Sequence, residues 1–433
     1  MSDTQSLSRD PVRKIVIVGG GAAGWMAAAA LARLIERTGI CVVLVESDAL
    51  DELAVGEASI PSIRMFNGLL ELHESDFARQ TQATFNLGTE FVDWYCRGRS
   101  YIQPFGLYGF HFDAGLYADC LRRYSVSRGV SWIADKVVEV RRRPTDGFIS
   151  SLVLHSGRSL EGELFLDCSG VRGLLIAQGL NVGFEDWSHW LPCDRVVATS
   201  SEKLGRLKPY TRATADMAGW RWRIPLQHRT SNGYVYCSEF IGDVVAHARL
   251  RAQLDSAALG DVRRLRFKSG HRHRFWEKNC VAIGPSGGFV EPLGPTCVHL
   301  IHTGLTKLLA LFPDRTFSPV TINTYNDCMA YQYRRIRDHA ILHYKATDRR
   351  ETPFWRRCRE MRIPESLQER IECFRANGTV TKDSEDPFKQ VSWMAAMLGQ
   401  GITPVTWDRQ GVSLQSQNLR NLVNRDRSRF PAS

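Results

Sequence analysis

The stretch Gly19-Gly-Gly-Ala-Ala-Gly24 sets glycines at the three positions of a G-x-G-x-x-G turn. Ahead of it runs Lys14-Ile-Val-Ile-Val18, and behind it Trp25-Met-Ala-Ala-Ala-Ala-Leu31. Such a turn does phosphate chemistry with its backbone. Gly19 permits the tight bend, Gly21 lets the chain approach a pyrophosphate, and Gly24 allows helix and strand to pack closely. The N–H groups around Ala22 and Ala23 and the positive end of the helix dipole then face the anion. A second apolar run, Ile40-Cys-Val-Val-Leu-Val45, ends on Glu46, about twenty residues on, where a ribose hydroxyl takes an acidic ligand. Strand, glycines, helix, strand and acid in this order predict an adenine-dinucleotide site.

Two later stretches repeat the strand-then-glycine grammar: Leu164-Phe-Leu-Asp-Cys-Ser-Gly170 and Cys280-Val-Ala-Ile-Gly284, the latter running on to Phe289. Between them, alternation as in Trp220-Arg-Trp-Arg-Ile-Pro225 and Gly233-Tyr-Val-Tyr-Cys-Ser238 predicts antiparallel strands, with Asn232-Gly233 as a hairpin turn. Ala83 to Trp94 reads as a strand with a turn, Tyr101 to Gly106 as a loop, and His111 to Tyr117 as the opening of a helix. From Val298 to Leu311, and beyond Thr321, the pattern is helical, with a break at Ile363-Pro364 and a fraying tail from Asn421. The expected fold is α/β (α+β), a discontinuous Rossmann-like module with an antiparallel sheet insertion. Its divisions are 12–195 and 271–312 for the nucleotide module, 196–270 for the sheet, and 313–433 for a helical part. A nucleotide module in separated pieces suits flavoproteins better than NAD dehydrogenases.

Composition narrows the classes. No apolar run in the 433 residues is long enough to span a membrane, and the N-terminus lacks a signal pattern, so a cytoplasmic protein is expected. The 11 cysteines show no C-x-x-C spacing, which argues for free thiols and against structural zinc. His271-x-His273 has no third ligand at motif spacing, so no metal is expected. The 56 basic against 46 acidic residues, with Arg263-Arg264 and His271-Arg-His-Arg274, raise nucleic-acid binding, but no recognition motif accompanies them. A solvated basic face that draws in anions is the preferred reading. A homodimer is compatible with the sequence.

Several stretches together resemble the flavin-dependent tryptophan halogenases: GGGAAGW, Gly56-Glu-Ala-Ser-Ile-Pro61, Phe112-Asp-Ala-Gly-Leu-Tyr117, Asp167-Cys-Ser-Gly-Val-Arg-Gly173, Trp220-x-Trp222-x-Ile224-Pro225 and Gly287-Gly-Phe-Val-Glu-Pro-Leu293. The resemblance runs from about Lys14 to Trp407. It implies a p-hydroxybenzoate-hydroxylase-like FAD module with a helical substrate module. It assigns Gly56, Glu57, Gly284, Phe289 and Leu293 to the cofactor and Trp220, Trp222, Ile224 and Pro225 to a tunnel wall. The implied chemistry starts from reduced FAD, supplied by a separate flavin reductase, and O2. Chloride or bromide becomes hypohalous acid, which passes along the tunnel to a lysine, and a glutamate helps position the oxidant on an indole.

The catalytic end departs from that pattern. Asn86 stands where the family has its lysine, in Ala83-Thr-Phe-Asn-Leu-Gly88, and an amide can hydrogen-bond but cannot carry halogen as an amine does. Gly294 stands at the family glutamate, in Pro292-Leu-Gly-Pro295, where Pro295 also removes an N–H. Glu291 is the neighbouring carboxylate that could substitute. Thr296 and Cys297 are left to offer backbone N–H groups to a halide, with Pro295 against that pocket. Of the residues that sandwich the indole, Phe105 is kept while Gln103 replaces a histidine. Loss of one general acid or base costs roughly 10²–10⁴ in rate. The expectation is therefore a flavin enzyme of this family with non-standard chemistry at the substrate end. The alternatives are an ordinary tryptophan halogenase with a displaced lysine, or a non-catalytic FAD-binding partner of a halogenase.

Overall fold

The computed structural model describes residues 10–47 and 56–406, apart from the side chains of 34–37. Five parallel strands lie in the order Ser131–Ala134, Cys41–Glu46, Lys14–Val18, Leu164–Asp167 and Cys280–Ala282, with Trp276–Glu277 antiparallel at one edge. Continuous β-branched runs make this sheet because both of its faces are covered. Ile15 and Ile17 face the main core, while Val16 and Val18 face a smaller one with Leu152 and Phe165. The three glycine segments follow the third, fourth and fifth strands of this doubly wound order. Remote pieces of chain thus meet at the carboxyl edge of one sheet, where such folds bind ligands.

The second sheet has eight strands, in the order Arg263–Arg266, Arg195–Glu202, Arg229–Tyr236, Gly219–Pro225, Thr211–Asp216, Thr84–Val92, Ser100–Asp113 and Gly56–Ala58. The last three of these lie within 12–195, so the sheet draws on chain from inside the first nucleotide segment as well as from 196–270. One face turns outward with Glu90, Arg212, Arg221 and Arg223, and Glu90 pairs with Arg212 at 2.6 Å. The other packs on helices. In register across it run Trp222, Ala213, Phe91 and Tyr101.

Three local expectations change. Tyr101 to Gly106 is strand, not loop. A bulge opposite, between Asn86 and Gly88, lets Pro104 sit in the ladder without its missing N–H being needed. Asn232 and Gly233 lie inside the strand Arg229–Tyr236, and the hairpin closes at Leu226, whose N–H donates to Arg229 O at 2.9 Å. Gly233 serves packing here: a Cβ would fall inside the Trp222 ring. The helix expected from His111 starts at Ala114, capped by the Asp113 carboxylate, which accepts from Leu116 N at 3.1 Å.

The helical layer comprises Thr296–Ala310, Pro319–Lys345, Pro353–Glu360, Glu365–Asn377 and Gln390–Gly399. The long helix Pro319–Lys345 buries Tyr333, Ile336, His339, His343 and Tyr344. Its core is continuous with that of the nucleotide sheet. Among the described residues no helix is long and apolar enough to cross a membrane. The tail from Asn421, and most of the polar loop ahead of Gly56, lie outside the described residues.

Candidate active site

At the first glycine turn, Gly19 has φ +114°, a conformation that excludes other side chains, and its N–H donates to Val45 O at 2.9 Å. A Cβ at Gly24 would collide with the Gly19 carbonyl, so strand and helix touch backbone to backbone. The helix begins at Ala22. Glu46 folds its carboxylate over Gly20 and faces Trp25, Arg122 and Trp132. Burial pushes its carboxyl above the usual range, opposed by those partners. These features fit a dinucleotide: a backbone cradle that side chains would fill, with an acid at its rim.

Asp167 locks the second segment. Its carboxylate accepts from Ser169 N at 3.0 Å, Ser169 Oγ at 2.6 Å, and Leu175 N and Ile176 N at 2.8 Å each. Ser286 Oγ, in the third segment, donates to the Asp167 carbonyl. Tyr333 Oη donates to Gly288 O at 2.9 Å, tying the return segment to the long helix. Phe289 packs edge-on against Phe267, with centroids 5.0 Å apart, and Leu293 is buried. Gly56–Ala58 pairs with the end of the strand that carries His111. His111 itself is bound on both nitrogens, to Thr84 Oγ1 and Thr211 Oγ1, and burial lowers it to about 3, so it is a packed histidine.

Trp220 and Trp222 lie on the inner face of the second sheet with centroids 6.2 Å apart, and Ile224 and Pro225 continue the buried surface. Trp222 Nε1 donates to Ser231 Oγ at 3.3 Å. Behind this wall Glu291 is 1% exposed, with Tyr344, Trp220 and Cys193 facing its carboxylate. Neither oxygen meets a donor at hydrogen-bonding geometry among the described residues. Burial raises this carboxyl to about 7. Glu291 therefore sits against Trp220 and Tyr344 rather than turning into the place of a side chain at 294.

The surroundings of Asn86 and Gly294 hold no buried lysine among the described residues. Asn86 is fully buried; its Nδ2 donates to Ser59 O at 3.4 Å and its Oδ1 lies 3.4 Å from Gly88 N. No lysine of the chain is buried. From Ser59 the chain leads to Ser62, whose Oγ lies 3.3 Å from His299 Nδ1 on the helix that follows Gly294. The loop 59–62 thus joins the Asn86 strand to the Gly294 turn. Gly294 has φ +146°, and a Cβ there would touch only Thr296 Cγ2, at 3.9 Å. Pro295, at φ −80° and ψ 56°, centres a tight turn in which Thr296 N donates to Gly294 O at 2.8 Å. Leu293 N likewise closes onto Glu291 O at 2.7 Å. Thr296, expected to offer its N–H to a halide, has spent it within the loop. Burial, and then the Glu57 carboxylate, push the Cys297 thiol far up, so it is no thiolate.

His271 is buried against Trp187 while His273 is exposed, and among the described residues no group of three histidine, cysteine, aspartate or glutamate side chains could hold a metal.

The tryptophan halogenase family model matches residues 14–109 and 107–416. Tryptophan 6-halogenase SttH of Streptomyces toxytricini is 32% identical over 90% of this chain and 89% of its own length. Tryptophan 7-halogenase RebH of Lentzea aerocolonigenes is 31% identical over 87% and 84%. A flavin-dependent halogenase from Xanthomonas campestris superposes with a TM-score of 0.91 at 42% identity, covering 96% of this chain and 95% of that one. The chain belongs to the tryptophan halogenase family.

For this halogenase-family enzyme the p-hydroxybenzoate-hydroxylase-like FAD fold follows. Gln103 and Phe105 are also buried. Phe105 is 6% exposed, and Gln103 Nε2 lies 3.0 Å from His339 Nε2. Reading the sequence missed His339, which the long helix brings to Gln103, and the pair His343 and Gln400, joined by Gln400 Nε2 donating to the His343 carbonyl. The one available signal was the His339/His343 spacing of four residues, which puts both rings on one helix face.

Proposed function

We propose that this protein uses reduced FAD, delivered by a separate flavin reductase, and O2 to halogenate or oxidise an indole-like aromatic, with transfer chemistry that dispenses with the family's lysine and glutamate. The observation that carries this reading is Asn86: fully buried at the lysine position and hydrogen-bonded to Ser59, on a chain that keeps the three glycine segments. FAD, when bound, supplies the oxygen-activating chemistry. The chain's part is to hold it through Gly19, Gly21, Ala22, Ala23, Gly24 and Glu46, with Gly56, Glu57, Gly284, Phe289 and Leu293 from the other segments. Trp220, Trp222, Ile224 and Pro225 separate it from the organic substrate. The halide would be chloride or bromide. The relatives' names supply the indole: they act on tryptophan. A cytoplasmic location and a homodimer belong to the same reading, with no role for nucleic acid or membrane.

A displaced lysine is the less favoured alternative, since every lysine of the chain is at least partly exposed. The deciding assay combines flavin reductase, NADH, FAD, chloride or bromide, and tryptophan or indole, and reads products by mass. An organic product gaining halogen or oxygen supports the proposal. Recovery of all consumed O2 as hydrogen peroxide across a broad aromatic panel overturns it.

A further inference from the structure

Three tryptophan rings pack in a row behind the second sheet: Trp94, Trp220 and Trp222, with Trp220 in the middle and both centroid distances 6.2 Å. Two of the three indoles are anchored. Trp94 Nε1 donates to Ala213 O at 3.0 Å, and Trp222 Nε1 to Ser231 Oγ at 3.3 Å. Trp220 Nε1 is buried and has no hydrogen-bond partner among the described residues. Buried polar atoms are satisfied in nearly all folded proteins, so the middle ring stands out.

A complementary bare group faces it. Glu291 lies in the return segment between Phe289 and Leu293, and both of its carboxylate oxygens are buried without a partner. The Trp220 indole is among the groups facing that carboxylate. An indole N–H can only donate and a carboxylate oxygen accepts, so each group supplies what the other lacks. A small turn of either side chain closes the bond. Tyr344 Oη faces the same carboxylate from the long helix and lies 3.4 Å from Cys193 Sγ. Glu291 therefore stands where the return segment, the Trp220 strand and the long helix meet.

We propose that Glu291 is the positioning residue of the tryptophan wall, accepting the Trp220 Nε1–H and so fixing the angle of that ring against the return segment. The inference rests on the reading of Trp220 as part of the partition between flavin and organic substrate, and adds the group that sets it. Ionisation of Glu291 strengthens the hold, because a charged acceptor makes a bond roughly twice as strong as a neutral one. Burial puts that change near pH 7. The other titratable groups that meet Glu291 are Tyr344, Cys193 and, from the helix Pro353–Glu360, Cys358. Burial pushes all three far up, so they stay neutral while Glu291 titrates. No arginine or lysine among the described residues shifts it.

The test reads the Trp220 N–H directly, in FAD-loaded, oxidised protein without reductase or halide, so that no turnover occurs. The tryptophan indole nitrogens are labelled with 15N, and the Trp220 signal is identified by its loss in Trp220→Phe. In the parent it should move downfield as pH rises, with a midpoint near 7. In Glu291→Gln, which accepts a hydrogen bond but cannot ionise, the signal should hold one position across that range. A Trp220 signal that ignores pH in the parent, or still titrates in Glu291→Gln, overturns the proposal.

A second readout is product formed per O2 consumed. Glu291→Leu should lower it severalfold and Glu291→Gln should recover most of it, whereas in a Trp220→Phe background the two variants should be alike. An equal gap between them with and without the Trp220 N–H would assign Glu291 to general packing and overturn the proposal. If Glu291→Leu does not fold, the titration in the parent and in Glu291→Gln decides alone. A titrating Trp220 signal on a protein that yields no oxidised product would sink the proposed reaction and leave this inference standing. Product formation with a signal blind to Glu291 would do the reverse.

Discussion

The Trp222 indole occupies the space that any side chain at residue 233 would need. The two residues face each other across neighbouring strands, Trp222 in direct register with Gly233, and the ring lies flat over the glycine. Its Nε1 then reaches Ser231 on the same strand. The tryptophan wall is therefore set by a bare position on the adjacent strand as much as by the tryptophans themselves.

Gly233→Ala should push the ring off its seat. Overpacking of this kind costs about 1–3 kcal/mol, and the loss should appear as a lower melting temperature. Product formation per O2 consumed should fall with it, because the wall between flavin and substrate is disturbed. An unchanged melting curve would show that the indole shifts freely.

Restoring the family residues should succeed only in part. Asn86→Lys buries an ammonium beside the Ser59 carbonyl and should destabilise unless a carboxylate joins it. Gly294→Glu meets φ +146°, where a side chain costs about 1–3 kcal/mol of backbone strain. The double variant should thus gain halogenation, read by product mass, yet melt below the parent. Full recovery of both activity and stability would mean that the Gly294-Pro295 loop relaxes.

Glu291 gives a pH dependence. Its ordinary value is 4.5 and burial raises it to about 7, so between those values the folded chain holds the proton that the unfolded chain has released. The contribution is fully present below about 4.5 and is lost as pH rises through 7, a swing of roughly 3 kcal/mol. Glu291→Gln, which cannot ionise, should therefore melt higher than the parent at pH 8 and near it at pH 5. A constant difference across that range would assign the effect to packing.

Asp167→Asn should loosen the flavin cradle. One amide cannot accept all four of the bonds that the carboxylate takes from Ser169, Leu175 and Ile176. Hydrogen bonds to charged groups contribute about 1.5–3 kcal/mol each, and their weakening should raise the dissociation constant for FAD measured by flavin fluorescence. Tight FAD binding in a folded variant would separate this clamp from the cofactor.

Legibility followed the range of the interactions. The glycine turn at Gly19–Gly24, the acid at Glu46 and the strand–turn–helix–strand succession around them were readable because each depends on residues a few positions apart, with a period and a spacing. The replacements at Asn86 and Gly294 were readable for the same reason, standing inside short motifs. Local signals failed where packing overrode them. Pro104 and Gly106 read as loop but lie in a strand because the opposite strand bulges. Asn232-Gly233 reads as a turn but lies mid-strand because an indole needs the glycine.

What the tertiary structure alone decided is the company each group keeps. Glu291 becomes a buried acid against Trp220 and Tyr344, and the Thr296 N–H is spent on Gly294. Gln103 and His339, far apart along the chain, come within hydrogen-bonding distance. Sequence carries the chemistry of each side chain. Whether a hydrogen bond is made, or a charge can be held, depends on burial and on partners that only the packed sheet and helices bring within reach.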